Sequence, residues 1–455
     1  MLHFKLTLLR DSSSFFTSSE ILIRACYHIY IAIIRNCPVS SNPLATRSLA
    51  ERFYHPELDV LRFFSFFLIF LHHSIPHIPA FYLKMGVAPV VASVLAALGA
   101  TGAYGVQLFF LLSSYLVTEL LIRERASRGR IDLKAFYIRR ILRIWPLYFS
   151  FLALAWAMQW WIPGQHIGWR AALAFIFFVG NWWVVFVGFP SSVIFHLWFI
   201  SLQEQFYLFW PATMRKLSER GLLIAAAAML VVSNLSRWYL AAHHTWESRM
   251  WCNTFVQLDA IALGIILAVL LAGRAPRLAP LLRAALLIGG FTCLALAGNY
   301  FQIKGDPLTI PRVLFGYPVA VFGAVAIFLA TLRPAAGKGG PHPPVVGECG
   351  MQASGGPFKL SFGLSGAVDS ASPSARTWGL KPFIYLGQIS YGLYIFHILG
   401  LLISDYTVHN QEASLPRYLL RVTVAFAATV TLAAISYRCL ESPFLSMKQR
   451  FSHGR

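Results

Sequence analysis

A chain of 455 residues with 57% hydrophobic and only 12% charged side chains carries about half the charge usual in a soluble globular domain, where about 25% is normal. That balance excludes a water-soluble enzyme and points to lipid, because a spanning helix needs roughly 20 mostly apolar residues to cross a hydrocarbon core of about 30 Å. Lys and Arg number 38 against 18 acidic residues, a net charge of +20, but they gather in short stretches between apolar runs. Membrane orientation accounts for that placement, and nucleic acid is excluded as a partner.

Residues 1–55 read as an N-terminal extension. They hold Ser12 to Ser14, Ser18 and Ser19, and an apolar patch from Ile21 to Ile34 broken by Arg24 and His28, which is neither a signal peptide nor a span. An amphipathic surface segment and a start codon placed too far upstream fit equally well.

Beyond it, apolar runs at 58–77, 105–122, 141–162, 171–187, 195–213, 221–241, 255–273, 281–299, 313–332, 383–404 and 418–437 give eleven candidate helices. Basic clusters before residue 57, across Arg123 to Arg143, at Arg215, Lys216 and Arg220, at Arg274, Arg277 and Arg283, through Arg333 to Lys381, and from Arg438 onward mark cytoplasmic loops. The basic-poor stretches 78–104, 163–194, 242–254, 300–312 and 405–416 then face the other side.

Three runs lie between Arg143 and Arg215, although both basic clusters require the same side. One run therefore does not cross. The shortest, 171–187, ends in Asn181, Trp182 and Trp183 and is expected to be re-entrant or interfacial. The expected fold is an all-α integral membrane protein of about ten transmembrane helices with both termini cytoplasmic. The membrane domain occupies 56–333 and 382–445, and the Gly-, Pro- and Ser-rich stretch 334–381 reads as a disordered cytoplasmic loop. Residues 446–455 form a cytoplasmic tail.

The six cysteines, Cys26, Cys37, Cys252, Cys293, Cys349 and Cys439, show no C-x-x-C pair and no companion His at ligand spacing. Neither a disulfide framework nor a metal site is predicted.

Ionisable residues inside spans cost several kcal/mol unless paired or wet, so each is a candidate for function. In ELDVLRFFSFFLIFLHHS, Arg62 and His73 are eleven positions apart, three helical turns plus about 20° and roughly 16 Å of depth. They share a face, whereas His72 points about 100° away. An imidazole about halfway through the bilayer is placed to act as a general base on a hydroxyl, a role typically worth about 10² to 10⁴ in rate. A hydrogen bond to a neighbouring helix is the other reading of His73.

In AFYIRRILRIWPLYF, Arg140 and Arg143 share a face at the cytoplasmic boundary and suit the phosphates of a nucleotide-bearing donor. Orientation of the helix alone also accounts for them. In FHLWFISLQEQFYLFWP, Glu204 lies among aromatics, where a carboxylate must be protonated, paired or in contact with substrate. An Arg from another span is one such partner. Asp259, Tyr391, His397 and Glu441 are weaker polar points, read as packing or boundary features.

With these motifs in order, the chain resembles the membrane-bound acyltransferase family 3, whose members acylate surface sugars, peptidoglycan and antibiotics. The resemblance rests on R-x10-H at Arg62 and His73, the element Gly105 to Ser113, R-x-x-R at Arg140 and Arg143, and Trp198 with Glu204, Gln205, Phe206 and Tyr207. Ser390 to His397 and E-x-P-F at Glu441 to Phe444 complete it. It implies an integral-membrane O-acyltransferase of the bacterial inner membrane. The donor would be acetyl-CoA or another acyl-CoA arriving from the cytoplasm, the acceptor a carbohydrate hydroxyl, with lipid as the surroundings and no metal.

The resemblance also implies an essential His73 supported by Arg62, Arg140 and Arg143. The expected catalytic set is His73, Arg62 and Glu204, with Glu204 tuning the His or binding the acceptor and Arg140 and Arg143 binding the donor's phosphates. A transporter of a sugar-like or anionic ligand and an inactive relative are the competing readings. Four positions depart from the family pattern: Gln107 in place of Asp, Ser114 of Gly, Phe199 of Ser and Gln203 of Glu.

Overall fold

A computed structural model describes residues 55–305, 308–333, 380–408 and 414–452. The described residues are helical, with no strand among them. The expectations for 1–54 and for 334–379 fall outside the described residues.

The helices in chain order are α1 (Pro56–Ser74), α2 (Pro79–Leu83), α3 (Pro89–Gly102), α4 (Gly105–Arg128), α5 (Leu133–Met158), α6 (Trp169–Ile176), α7 (Gly180–Phe186) and α8 (Trp198–Lys216). There follow α9 (Glu219–Ala242), α10 (Glu247–Trp251), α11 (Leu258–Leu271), α12 (Pro280–Ala295), α13 (Ile310–Thr331), α14 (Lys381–Gln388), α15 (Ser390–Val408), α16 (Leu415–Ser436) and α17 (Ser442–Ser452).

Local chemistry sets their ends. Proline stands in the first turn of α1, α3, α12, α13 and α16, where its missing N–H costs nothing and its fixed φ is already helical. The Asp132 carboxylate accepts from the Ala135 N–H at 3.0 Å and caps α5. Gly129, at φ 69°, closes α4 in the left-handed conformation. Ile75, extended ahead of Pro76, ends α1.

Among the described residues, seven helical stretches are long and apolar enough to cross a membrane: Pro89–Arg128, Leu133–Met158, Glu219–Ala242, Pro280–Tyr300, Ile310–Thr331, Ser390–Val408 and Leu415–Met447. In the first of these, 83% of the most apolar window is buried, against 17% in both Pro280–Tyr300 and Leu415–Met447. Thus α4 is the central post, and α12 and α16 turn their flanks outward. α4 packs along α1 and α11, α15 along α16, and α12 along α13.

The run at 171–187 divides into α6 and α7, of 8 and 7 residues. At about 1.5 Å per residue, neither spans a hydrocarbon core. The run at 383–404 also breaks, between α14 and α15 at Ile389. The outer stretch 78–104, read as a loop, contains α2 and α3. α3 lies close against α1: a Cβ on Gly102 would stand 2.3 Å from the Leu68 carbonyl oxygen, so the approach requires glycine there.

Candidate active site

Arg62, Arg140 and Arg143 line one cavity with Asp59, Ser113, Phe199, Gln203, Tyr207, Ser390, Tyr391 and Tyr394. α1, α4, α5, α8 and α15 contribute these side chains. Arg62 bonds the buried Asp59 carboxylate one turn earlier, at 2.6 Å. Arg140 lies over the Tyr207 ring with its guanidinium carbon 4.4 Å from the centroid, a cation–π contact. Arg143 has a buried Nη1 with no hydrogen-bond partner among the described residues. The adjacent Arg139 turns away and pairs with Glu124 at 3.4 Å.

Three guanidiniums facing one lining carboxylate leave the cavity cationic. In a low-dielectric interior such charges are costly until an anion sits among them. The polar floor is a hydroxyl pair. Gln203 donates through Nε2 to Ser113 Oγ at 2.8 Å and Tyr207 Oη at 2.7 Å, and the two hydroxyls lie 2.5 Å apart. One hydroxyl proton is used inside the pair, so the other is left to donate to a ligand.

Neither His73 nor Glu204 lines this cavity. Glu204 follows Gln203, and the rotation of about 100° between neighbours on a helix turns it toward α5. There its Oε2 accepts from Trp145 Nε1 at 3.3 Å, and its buried Oε1 has no partner among the described residues.

His73 lies one layer beyond the cavity wall. Tyr394, part of that wall, packs its ring 5.4 Å from the rings of both His397 and His196 and 5.1 Å from Phe199. Behind it, His397 Nε2 is 3.1 Å from His73 Nδ1, and His397 Nδ1 is 2.5 Å from the Tyr394 carbonyl. Among the described residues, no group of His, Cys, Asp or Glu side chains is arranged to hold a metal.

His72, as its angular offset requires, points elsewhere. Its Nδ1 donates to the Gly99 carbonyl at 3.0 Å, leaving Nε2 to accept from Lys304 Nζ at 3.1 Å.

A family model described as an acyltransferase domain matches residues 55–438. The chain belongs to the acyltransferase 3 family. It is 25% identical over 362 residues to a Staphylococcus aureus (strain COL) protein provisionally named an O-acetyltransferase, covering 75% of this chain and 52% of that protein. It is 26% identical over 361 residues to the O-acetyltransferase OatA of Staphylococcus aureus (strain NCTC 8325 / PS 47), with the same 75% and 52% coverage. The chain thus spans about half the length of the curated relatives it matches. No solved structure matches it significantly.

Within this acyltransferase 3 domain, the four departures acquire physical settings. Gln107 is fully buried and donates to Gln257 Oε1 at 2.8 Å, while Gln257 Nε2 donates to the Trp251 carbonyl at 2.6 Å. A neutral amide pair thus occupies a place where a carboxylate would need a cation. Ser114 is accommodated because Gly264 faces it: a Cβ there would stand 2.0 Å from Ser114 Oγ. Gln203 anchors the hydroxyl pair. Phe199 lines the cavity, with its ring 5.8 Å from Phe109 and 5.1 Å from Tyr394.

Two features escaped sequence reading. His397 looked like a packing residue, and only the pairing of α15 with α1 shows what its ring faces. Arg237, fully buried in α9, is ion-paired with Asp259 of α11 and lies 4.3 Å from the Tyr317 ring centroid. Asp259 alone was visible as a polar residue in a span.

Proposed function

We propose that this domain transfers an acyl group, acetyl first among the candidates, from acyl-CoA to a hydroxyl of a carbohydrate acceptor. The supporting observation is the single cavity where Arg62, Arg140 and Arg143 meet with only Asp59 as a lining carboxylate, one aromatic layer from His73.

In this reading the donor's phosphates are bound by Arg140 and Arg143, and Arg62, oriented by Asp59, neutralises charge nearer α1. The thioester arm passes Tyr394 and Phe199 to the level of His73. His73 removes the acceptor hydroxyl's proton as the oxygen attacks the thioester carbonyl carbon. The tetrahedral intermediate collapses with cleavage of the carbon–sulfur bond, and the departing thiolate takes the proton back from His73. The products are an ester and free CoA.

Glu204 acts from behind the cavity wall. Its place between Trp145 and the arginine-bearing face of α5 fits a role in holding Arg140 electrostatically, rather than in contacting the acceptor.

α1, α8 and α11 join the seven apolar stretches to make ten crossings, with both termini and the arginine cavity on the cytoplasmic side. α1 and α8 are 19 residues each, about 28 Å of helix. Asp59, Arg62 and Glu204 on these helices face the protein interior, and Arg215 and Lys216 stand exposed at the end of α8. A bacterial inner membrane supplies acyl-CoA on that side.

The test is turnover of labelled acetyl-CoA by the purified protein in vesicles containing a glycan acceptor. Acyl-CoA consumption with ester formation supports the reading, and ligand movement without chemistry overturns it in favour of a transporter.

A further inference from the structure

We infer that His397 is a positioning residue that fixes the tautomer of His73 and leaves Nε2 of His73 as the atom that receives the acceptor's proton. This rests on the reading of His73 as the base.

One chain of hydrogen bonds runs from the Tyr394 carbonyl through His397 to His73. A backbone carbonyl can only accept, so the 2.5 Å contact between the Tyr394 oxygen and His397 Nδ1 puts a proton on that nitrogen. A neutral imidazole carries one N–H, so His397 Nε2 has the lone pair. That nitrogen lies 3.1 Å from His73 Nδ1, which must therefore donate. His73 is left with its lone pair on Nε2, which has no hydrogen-bond partner among the described residues, and the ring is only partly buried.

The arrangement is held from several sides. His397 is fully buried, with the Phe66 ring edge-on at 6.1 Å and the His196 ring at 4.8 Å. His196 is itself fixed by Nε2 donating to the Ile395 carbonyl at 3.1 Å.

A carboxylate in the place of His397 would orient His73 equally well, but it would bring a negative charge into a buried layer at high cost. A neutral imidazole avoids that cost. It also stabilises an imidazolium at His73 less strongly, so the proton returns more readily to the leaving thiolate.

The experiment measures acetyl-CoA turnover in vesicles for wild type, His73→Ala, His397→Leu, His397→Asn and His397→Gln. A Gln side chain can place its carbonyl oxygen near the position of Nε2 and accept from His73, whereas Asn stops short and Leu cannot accept. The expected result is a kcat about 10- to 100-fold lower for Leu and Asn, the usual effect of losing an orienting partner. Gln stays within about fivefold of wild type, and KM for acetyl-CoA changes less than about twofold throughout. If Leu does not fold, the contrast between Asn and Gln decides. Wild-type kcat in Leu or Asn, or an equal loss in all three variants, overturns the role of His397. Full activity in His73→Ala instead overturns the reading of His73 on which it rests.

Discussion

The guanidinium of Arg140 lies 4.4 Å from the ring centroid of Tyr207, and that same Tyr207 hydroxyl takes a hydrogen bond from Gln203 at 2.7 Å. The stack fixes a planar cation at the cavity wall. A lysine keeps the charge but loses the stack and the two-pronged hydrogen bonding. Arg140→Lys is expected to raise KM for acyl-CoA about tenfold, equivalent to roughly 1.4 kcal/mol, with a smaller effect on kcat. Steady-state kinetics over a range of acetyl-CoA concentrations checks this.

Gln203 contributes donors without charge. In Gln203→Glu a second carboxylate would join Asp59 on the lining and remove both bonds donated to Ser113 and Tyr207. KM for acyl-CoA is expected to rise about three- to tenfold, and more steeply at low ionic strength, where screening is weakest. An unchanged KM would mean that donor phosphates do not sense this wall.

Phe199 lines the arginine cavity, packed against Phe109 and against Tyr394, whose ring backs onto His397. Removing its ring should widen the passage for the acyl chain. A methylene in a hydrophobic pocket is worth about 1–3 kcal/mol of discrimination, so Phe199→Ala should shift the kcat/KM ratio of butyryl-CoA to acetyl-CoA upward by about tenfold or more. Competition between the two thioesters reads it directly.

Arg237 and Asp259 form a fully buried pair between α9 and α11. Removing one partner strands a charge and typically costs about 3–5 kcal/mol. Asp259→Leu is expected to lower the melting temperature in detergent markedly, while the combined Arg237→Met and Asp259→Leu change recovers much of the loss. The double variant melting no higher than Asp259→Leu would show that the pair is needed as such.

Much of this architecture was legible in the sequence because bilayer physics leaves helices as nearly the only solution for apolar runs. The runs at 221–241 and 313–332 became Glu219–Ala242 and Ile310–Thr331, within three residues at each end. The helix Pro89–Gly102 was lost in an outer loop because the basic-poor stretch 78–104 was read whole as a connection ahead of the run 105–122, with which the helix forms one long apolar stretch, Pro89–Arg128. Its close seat on α1, through Gly102, is a tertiary fact. At the site, helical spacing placed Arg140 and Arg143 on a common face, and both line the cavity.

Spacing could not say which of Gln203 and Glu204 faces the cavity. That depends on the rotation of α8 against α4 and α5. Nor could it orient His397, which lies 324 positions from its partner His73. Periodicity describes one helix at a time, and the histidine pair exists only where two helices meet.

Mass analysis of surface glycan from cells making wild type or His73→Ala, at equal amounts of folded membrane protein, tests the central proposal most directly. A catalytic His73 predicts an acyl modification present with wild type and absent with His73→Ala. The same modification at the same level in both would contradict it.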